Sequence, residues 1–392
     1  RLSLHKSSNE KNKDLRHKYI NAHFNLGNIL LKVGRLKEAE SSYRDILALD
    51  GNLLEVHTNL GVVLKEQRRL EEAQLSFKKA ISINPNYSDA HYNLGVTLKE
   101  LGRLDDAEKS YIKAIKSKPD FAEAHCNLGN MLKELGRLSE AENYLKQSVA
   151  LKPEYAEAHN NLGVVYKELG RLEEAEISYT KAIELKSGFI SALMNRWQLL
   201  YDKGQFDDAL RDLDLCNTET SRAFSLETLY ALGNIDEIFK RIEMNAELDD
   251  CNIRMAAFSS FIAERESRDT AHKFCKNPLS FLYFSNLSSH LENSNQFIKE
   301  LIDELSDLQT IWEPPERTTF KGFQTLPHIN IFESPLDKMK ELESIIFLEL
   351  DNYYSKFQNE SCSYIKKWPS KKNLRGWHVI LKQQGCQTTH IH

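Results

Sequence analysis

The sequence predicts a mainly α protein, with an α-solenoid of stacked helix pairs over residues 20–245. A helical lead-in and an α+β region follow over 246–392. Three observations carry this reading. Asn-Leu-Gly recurs at 25–27, 59–61, 93–95, 127–129 and 161–163, always 34 residues apart. Within each unit apolar residues fall at the spacing of two amphipathic helices, as at 26, 30, 36, 39, 43 and 46. One such pair has too little partner surface to bury its apolar face alone, so the units must stack. Beyond 245 the repeat stops, and GWHVILKQQ at 376–384 alternates with the period of a strand.

Taken in order, residues 1–19 are a polar, basic segment without the apolar core of a secretory signal. The chain does not begin with Met, so its N-terminus is expected to be truncated. Gly27, Gly61, Gly95, Gly129 and Gly163 are expected to let a neighbouring helix approach closely. A second Gly opens Gly-Arg-Leu at 34–36, 102–104, 136–138 and 170–172, where the chain must turn between helices. Arg68-Arg-Leu and Gly204-Gln-Phe stand in the same phase. A small residue follows each (Ala39, Ala73, Ala107, Ala141, Ala175, Ala209) and lets the second helix nest on the first. Pro85, Pro119 and Pro153 end second helices, because Pro cannot continue the hydrogen-bond ladder. A degenerate sixth unit is expected at 190–223, with Trp197 in place of the packing Gly, and a shortened seventh at 224–245.

Repeat length, Leu-Gly, turn Gly, Ala, the aromatics Tyr43, Phe77, Tyr111 and Tyr179, and the terminal Pro all fall in phase. Together they resemble the tetratricopeptide repeat. The resemblance implies that the first helices line a concave surface that binds a protein or peptide. Asn25, Asn59, Asn93, Asn127, Asn161 and Asn195 recur there, and each side chain offers a peptide both a donor and an acceptor. The competing reading is that these Asn stabilise the repeat locally. His23, His57, His91, His125 and His159 form a second ladder at a packing position, on separate helices too far apart to share one metal. The family's clamp for acidic C-termini needs Lys before the Asn. Phe24, Thr58, Tyr92, Cys126 and Asn160 stand there instead.

After the solenoid, 251–265 is predicted helical, and Pro278 with its aromatic neighbours interrupts the pattern at 276–286. Helical spacing returns at 291–311. Pro314-Pro315 breaks it, and a strand is expected near 319–325. Ser334-Pro335 predicts a helix start, with Ser as N-cap, Pro at the first position and Asp337 in the first turn. Gly385 offers a turn or bulge, after which TTHIH is expected to start a second strand.

On a strand His390 and His392 point to one face, which suits a metal, although His-x-His alone does not make a closed site. The stretch WPSKKNLRGWHVILKQQGCQTTHIH, with the helix before it, resembles 2-oxoglutarate- and Fe(II)-dependent oxygenases over roughly 276–392. The resemblance implies a double-stranded β-helix (jelly-roll) domain, with Fe(II) and 2-oxoglutarate as cofactors and His390 as a ligand. His392 stands where the wider superfamily carries a carboxylate. The distal His and the oxoglutarate-binding base would lie downstream, so the chain is expected to be a catalytically incompetent fragment. Two readings compete: a non-catalytic repeat scaffold, and a peptide-modifying glycosyltransferase. The second needs alternating βαβ units, which 246–392 does not show.

Composition narrows the field. A net charge of −5 argues against a general nucleic-acid binder, and no apolar run approaches bilayer-spanning length. Six scattered cysteines without a CxxC pair fit reduced thiols and a cytoplasmic location.

Overall fold

The computed structural model describes residues 2–249, 252–272, 283–306, 308, 310–312, 319–325, 330–333, 336–360, 363–366, 368, 370 and 379–387. It divides into two compact units, Arg1–Leu185 and Lys186–His392. The first unit is five helix pairs. They are α1 (Leu2–Lys32) with α2 (Leu36–Leu49), α3 (Leu54–Glu66) with α4 (Leu70–Ile83), and α5 (Ser88–Glu100) with α6 (Leu104–Ser117). α7 (Ala122–Glu134) with α8 (Leu138–Leu151) and α9 (Ala156–Glu168) with α10 (Leu172–Leu185) complete it. The polar segment expected at 1–19 is not separate from the first repeat: α1 runs through it from Leu2. No Gly or Pro occurs before Gly27 to stop that helix.

Close packing inside each pair rests on the first Gly. A Cβ at Gly27, Gly61, Gly95, Gly129 or Gly163 would lie between 2.6 and 2.8 Å from the buried Tyr43, Phe77, Tyr111, Leu145 or Tyr179 of the second helix. The turn glycines fulfil the second expectation, with Gly34, Gly102, Gly136 and Gly170 at φ 73–77°. In the second repeat Arg68 holds this conformation, at φ 63°. Among the described residues its side chain makes one exposed ion pair, with Glu100 at 3.3 Å. Relief of the left-handed strain outweighs such a pair. Arg68→Gly is therefore expected to raise stability by about 1 kcal/mol, read from the urea midpoint.

Adjacent repeats are stapled by the Arg of Gly-Arg-Leu. Arg35, Arg69, Arg137 and Arg171 grip the Glu three residues on, and Arg69, Arg103, Arg137 and Arg171 reach 29 residues back to the preceding second helix. The distances are 2.8 Å for Arg69–Glu40, 2.6 Å for Arg137–Glu108 and 2.8 Å for Arg171–Glu142, while Arg103 donates to Gln74 at 2.8 Å.

The second unit opens with α11 (Ile190–Asp202) and α12 (Phe206–Cys216), followed by α13 (Glu219–Ala231) and α14 (Ile235–Asn245). Trp197 is buried with Leu200, Ala209 and Leu213. It exchanges the usual Gly–Tyr pairing for a large residue on the first helix and a smaller Leu on the second. The expected seventh unit is corrected: its first helix begins at Glu219, not 224. Thr218 and Ser221 cap it reciprocally, Thr218 Oγ1 accepting from Ser221 N at 3.1 Å. α15 (Ile253–Arg265) adds Met255 and Ile262 to the core of α13 and α14, so helix stacking continues past the expected boundary at 245.

α16 (Ser294–Ser306) packs near α17 (Asp337–Phe357), and a short α18 (Ser363–Lys366) follows. Ser334 and Pro335, expected to open α17, lie outside the described residues. The N-cap is Leu336, which makes no side-chain cap bond. Glu304 of α16 supplies the acceptor instead, taking Lys338 N–H at 3.0 Å.

Three strands, β1 (Thr310–Trp312), β2 (Thr319–Thr325) and β3 (Val379–Gln387), pair antiparallel in the order β1-β2-β3. The β2–β3 register shifts between Phe320 and Gly322. The expected double-stranded β-helix is not seen among the described residues, which are overwhelmingly helical, and the strand expected at TTHIH lies outside them. None of the helices among the described residues is long and apolar enough to cross a membrane.

Candidate functional site

The Asn column occupies the first helices of the repeats. Asn59, Asn93, Asn127 and Asn161 are half-buried on α3, α5, α7 and α9, and Asn25 is exposed on α1. Asn195 lies on α11 of the second unit, where it is half-buried and partnered. Two of these side chains bridge to the position 35 residues earlier. Asn127 Nδ2 donates to Tyr92 Oη at 2.9 Å, and Asn161 Nδ2 to Cys126 Sγ at 3.5 Å. Asn59 Nδ2 donates to Asn28 Oδ1 at 2.8 Å, which also accepts from Tyr43 Oη at 2.7 Å. Asn93 Nδ2 turns back to its own helix, to Asp89 O at 2.8 Å.

The donor half of these four amides is thus committed internally, as the local reading of the column requires. For Asn93, Asn127 and Asn161 no hydrogen bond to Oδ1 occurs among the described residues. Sequence reasoning treated the position before each Asn only as a failed clamp and missed its part in the column. Burial pushes the Cys126 thiol up to about 11, so it stays protonated and is a poor nucleophile.

The His ladder is structural. Nε2 of His57, His91, His125 and His159 meets the carbonyl of Gly51, Pro85, Pro119 and Pro153, at 2.9, 2.8, 3.1 and 2.9 Å. Each imidazole ties its first helix to the loop that leads into it. Burial holds the His125 pKa below its ordinary value, partly offset by the Pro119 carbonyl, which keeps the ring neutral. His23 stacks on Tyr19 at 4.0 Å instead.

The second unit contains a cleft that the sequence reading missed. It has a volume of about 530 Å³ and is lined by Leu342, Ile346, Tyr353, Trp368 and the pair His290–Glu349. His290 Nε2 lies 2.5 Å from Glu349 Oε1. A Tyr283 hydrogen bond, with help from Ser285, His290 and Asn352, holds the Glu349 carboxyl below its ordinary pKa. The signal was present in α17, where 342, 346, 349 and 353 share a helical face.

His390 and His392 lie outside the described residues. Among the described residues there is no group of three or more His, Cys, Asp or Glu placed to hold a metal ion.

Comparison with known proteins gives a consistent result for the first unit. Family models described as tetratricopeptide repeat match residues 22–56, 54–87, 76–109 and 120–187, and one described as TPR repeat matches 97–136. The oxygenase resemblance of 276–392 has no counterpart among these matches. No curated protein matches the sequence significantly. Among solved structures, the chain is similar to PilF of Pseudomonas aeruginosa, with 22% identity and TM-score 0.46 over 53% of this chain and 97% of that one. It is also similar to MamA of Desulfovibrio magneticus RS-1, with 22% identity and TM-score 0.39 over 44% and 97%. YrrB, titled a TPR protein with an unusual peptide-binding site, shares 27% identity with TM-score 0.37 over 44% and 88%. Residues 22–187 of this chain are tetratricopeptide repeats, which build it into a repeat scaffold.

Proposed function

We propose that the solenoid is a binding scaffold for an extended protein or peptide segment, which lies along the Asn column of the first helices. The observation that carries this is the split use of each amide. The Nδ2 donors of Asn93, Asn127 and Asn161 are fixed by intramolecular bonds, and the Oδ1 acceptors stay available at a repeat spacing. Oriented acceptors on a rigid stack bind backbone N–H groups without ordering cost in the protein. Asn25 and Asn59 extend the proposed column within the same unit, and Asn195 repeats the residue on α11 of the second unit.

The test uses peptides selected from a displayed random library on the wild-type chain. Asn93→Ala/Asn127→Ala/Asn161→Ala is expected to weaken them by about tenfold or more, since three hydrogen bonds contribute about 0.5–1.5 kcal/mol each. Unchanged affinity together with a lowered melting temperature would assign the column to local stabilisation alone.

A second reading is supported by β3, which pairs in a sheet and ends at Gln387, three residues before His390 in the sequence. In that reading 276–392 belongs to an Fe(II)- and 2-oxoglutarate-dependent oxygenase domain that the scaffold serves. Its test is anaerobic Fe(II) titration of the chain. The reading expects weak binding that His390→Ala/His392→Ala abolishes, and binding insensitive to both substitutions contradicts it.

A further inference from the structure

Three junctions of the first unit, from α4 to α5, α6 to α7 and α8 to α9, repeat one set of three positions. One residue ends the second helix, an aromatic ring follows three residues later, and an acid lies 29 residues earlier on the preceding first helix. In the junction from α8 to α9 the set is complete. Lys152 Nζ lies 5.0 Å from the Tyr155 ring centroid and 2.8 Å from Glu123 Oε1. An ammonium held between a carboxylate and a ring face gains from both. In the junction from α6 to α7, Lys118 covers Phe121 at 4.9 Å. At the start of the second unit Lys186 covers Phe189 at 4.6 Å.

The junction from α4 to α5 has the acid and the ring without the cation. Glu55 and Tyr87 hold the two matching places, and Asn84 stands where the others carry Lys. Asn84 turns its amide back into its own loop, Oδ1 accepting from Asn86 N at 3.0 Å. Asp89, two residues beyond the ring, brings a second carboxylate. Burial, and after it the charges of Asp89 and Glu55, push the Tyr87 hydroxyl up to about 12, so both carboxylates act at this one ring. Among the described residues neither Glu55 nor Asp89 forms an ion pair, whereas their counterpart Glu123 has Lys152. Glu55 precedes Asn59 by one helical turn on the same face of α3, and Asp89 stands in the same relation to Asn93 on α5. The uncompensated charge therefore flanks the Asn column.

We propose that the segment bound along the Asn column is basic, and that a Lys or Arg of it sits between Glu55 and Asp89 against the Tyr87 ring, as Lys152 does two repeats on. This rests on the column as the binding path and adds the class of ligand that the path selects. The probe is a displayed random peptide library, selected in parallel on the full chain and on the full chain carrying Asn84→Lys. Lys118 ends α6 at φ −140°, close to the −133° of Asn84, so the backbone accepts Lys there. Wild-type selection is expected to enrich Lys or Arg at one position, and selection on Asn84→Lys is not. Binding of the strongest wild-type peptide, read by fluorescence anisotropy, is expected to weaken about three- to tenfold in Glu55→Gln/Asp89→Asn and in Asn84→Lys. Changing the peptide's own cation to Gln costs the same factor on wild type and nothing further on Glu55→Gln/Asp89→Asn, the mark of a direct pair. Unchanged circular dichroism checks that the variants fold. Selected peptides without an enriched cation, or a cation whose loss costs the same on both chains, would overturn the inference. Binding that Asn93→Ala/Asn127→Ala/Asn161→Ala weakens and Glu55→Gln/Asp89→Asn does not would also overturn it, with the column reading left intact. The reverse pattern would overturn the column reading and leave the cation place standing.

Discussion

Gly95→Ala lowers the stability of the repeat unit by about 1–3 kcal/mol, the usual range for overpacking. The sign is the informative part, because Ala in an open helix is about 1 kcal/mol better than Gly. Here the new Cβ would sit 2.8 Å from the Tyr111 ring. That ring is fully buried between helices, and burial pushes its hydroxyl pKa well above the ordinary tyrosine value. It has no open space to retreat into, so α5 and α6 must separate. Gly51→Ala is the control: its nearest atom would be Leu47 O at 3.7 Å, and no stability is lost. Urea denaturation of both variants checks the contrast. A Gly95→Ala protein as stable as wild type would show that the helix pairs pack more loosely than these contacts imply.

Arg222→Ala has the largest expected effect, a loss of about 3–5 kcal/mol from the second unit. Arg222 of α13 holds Asp249 through Nε at 2.8 Å and Nη2 at 2.5 Å, and the Asp249 side chain is 0% exposed. Removal of the guanidinium leaves a buried carboxylate without its charged partner. The pair itself is weak evidence of net stabilisation, since ionic pairs out of water recover little more than they lose. Arg222→Met/Asp249→Leu is accordingly expected to recover most of the loss, and the two variants together separate an orphaned charge from a lost contact.

These sites differ in how far the sequence reveals them. Spacing exposed the packing and turn glycines, because a 34-residue period forces each residue type into one environment. Arg68 broke that period, yet its backbone follows the neighbouring glycines, since the stack dictates the turn. Arg222–Asp249 links residues 27 apart with no periodic counterpart, so only the folded chain reveals it. The same holds for Glu304, which caps α17 from another helix, and for the His290–Glu349 cleft. The His ladder was legible as packing. Its carbonyl partners were not, because they depend on where Pro85, Pro119 and Pro153 place the loop. The Asn column was legible as a column, but the internal commitment of Nδ2 emerges only once Tyr92 and Cys126 are brought beside Asn127 and Asn161.

The most direct measurement of the binding account is the side-chain amide NMR spectrum of the chain during titration with a selected peptide. The account predicts saturable shifts of the Asn93, Asn127 and Asn161 side-chain amides, whose Oδ1 atoms acquire a partner while Nδ2 keeps its own. Saturated peptide with all three unmoved would contradict it, and the column would then be part of the scaffold's internal structure alone.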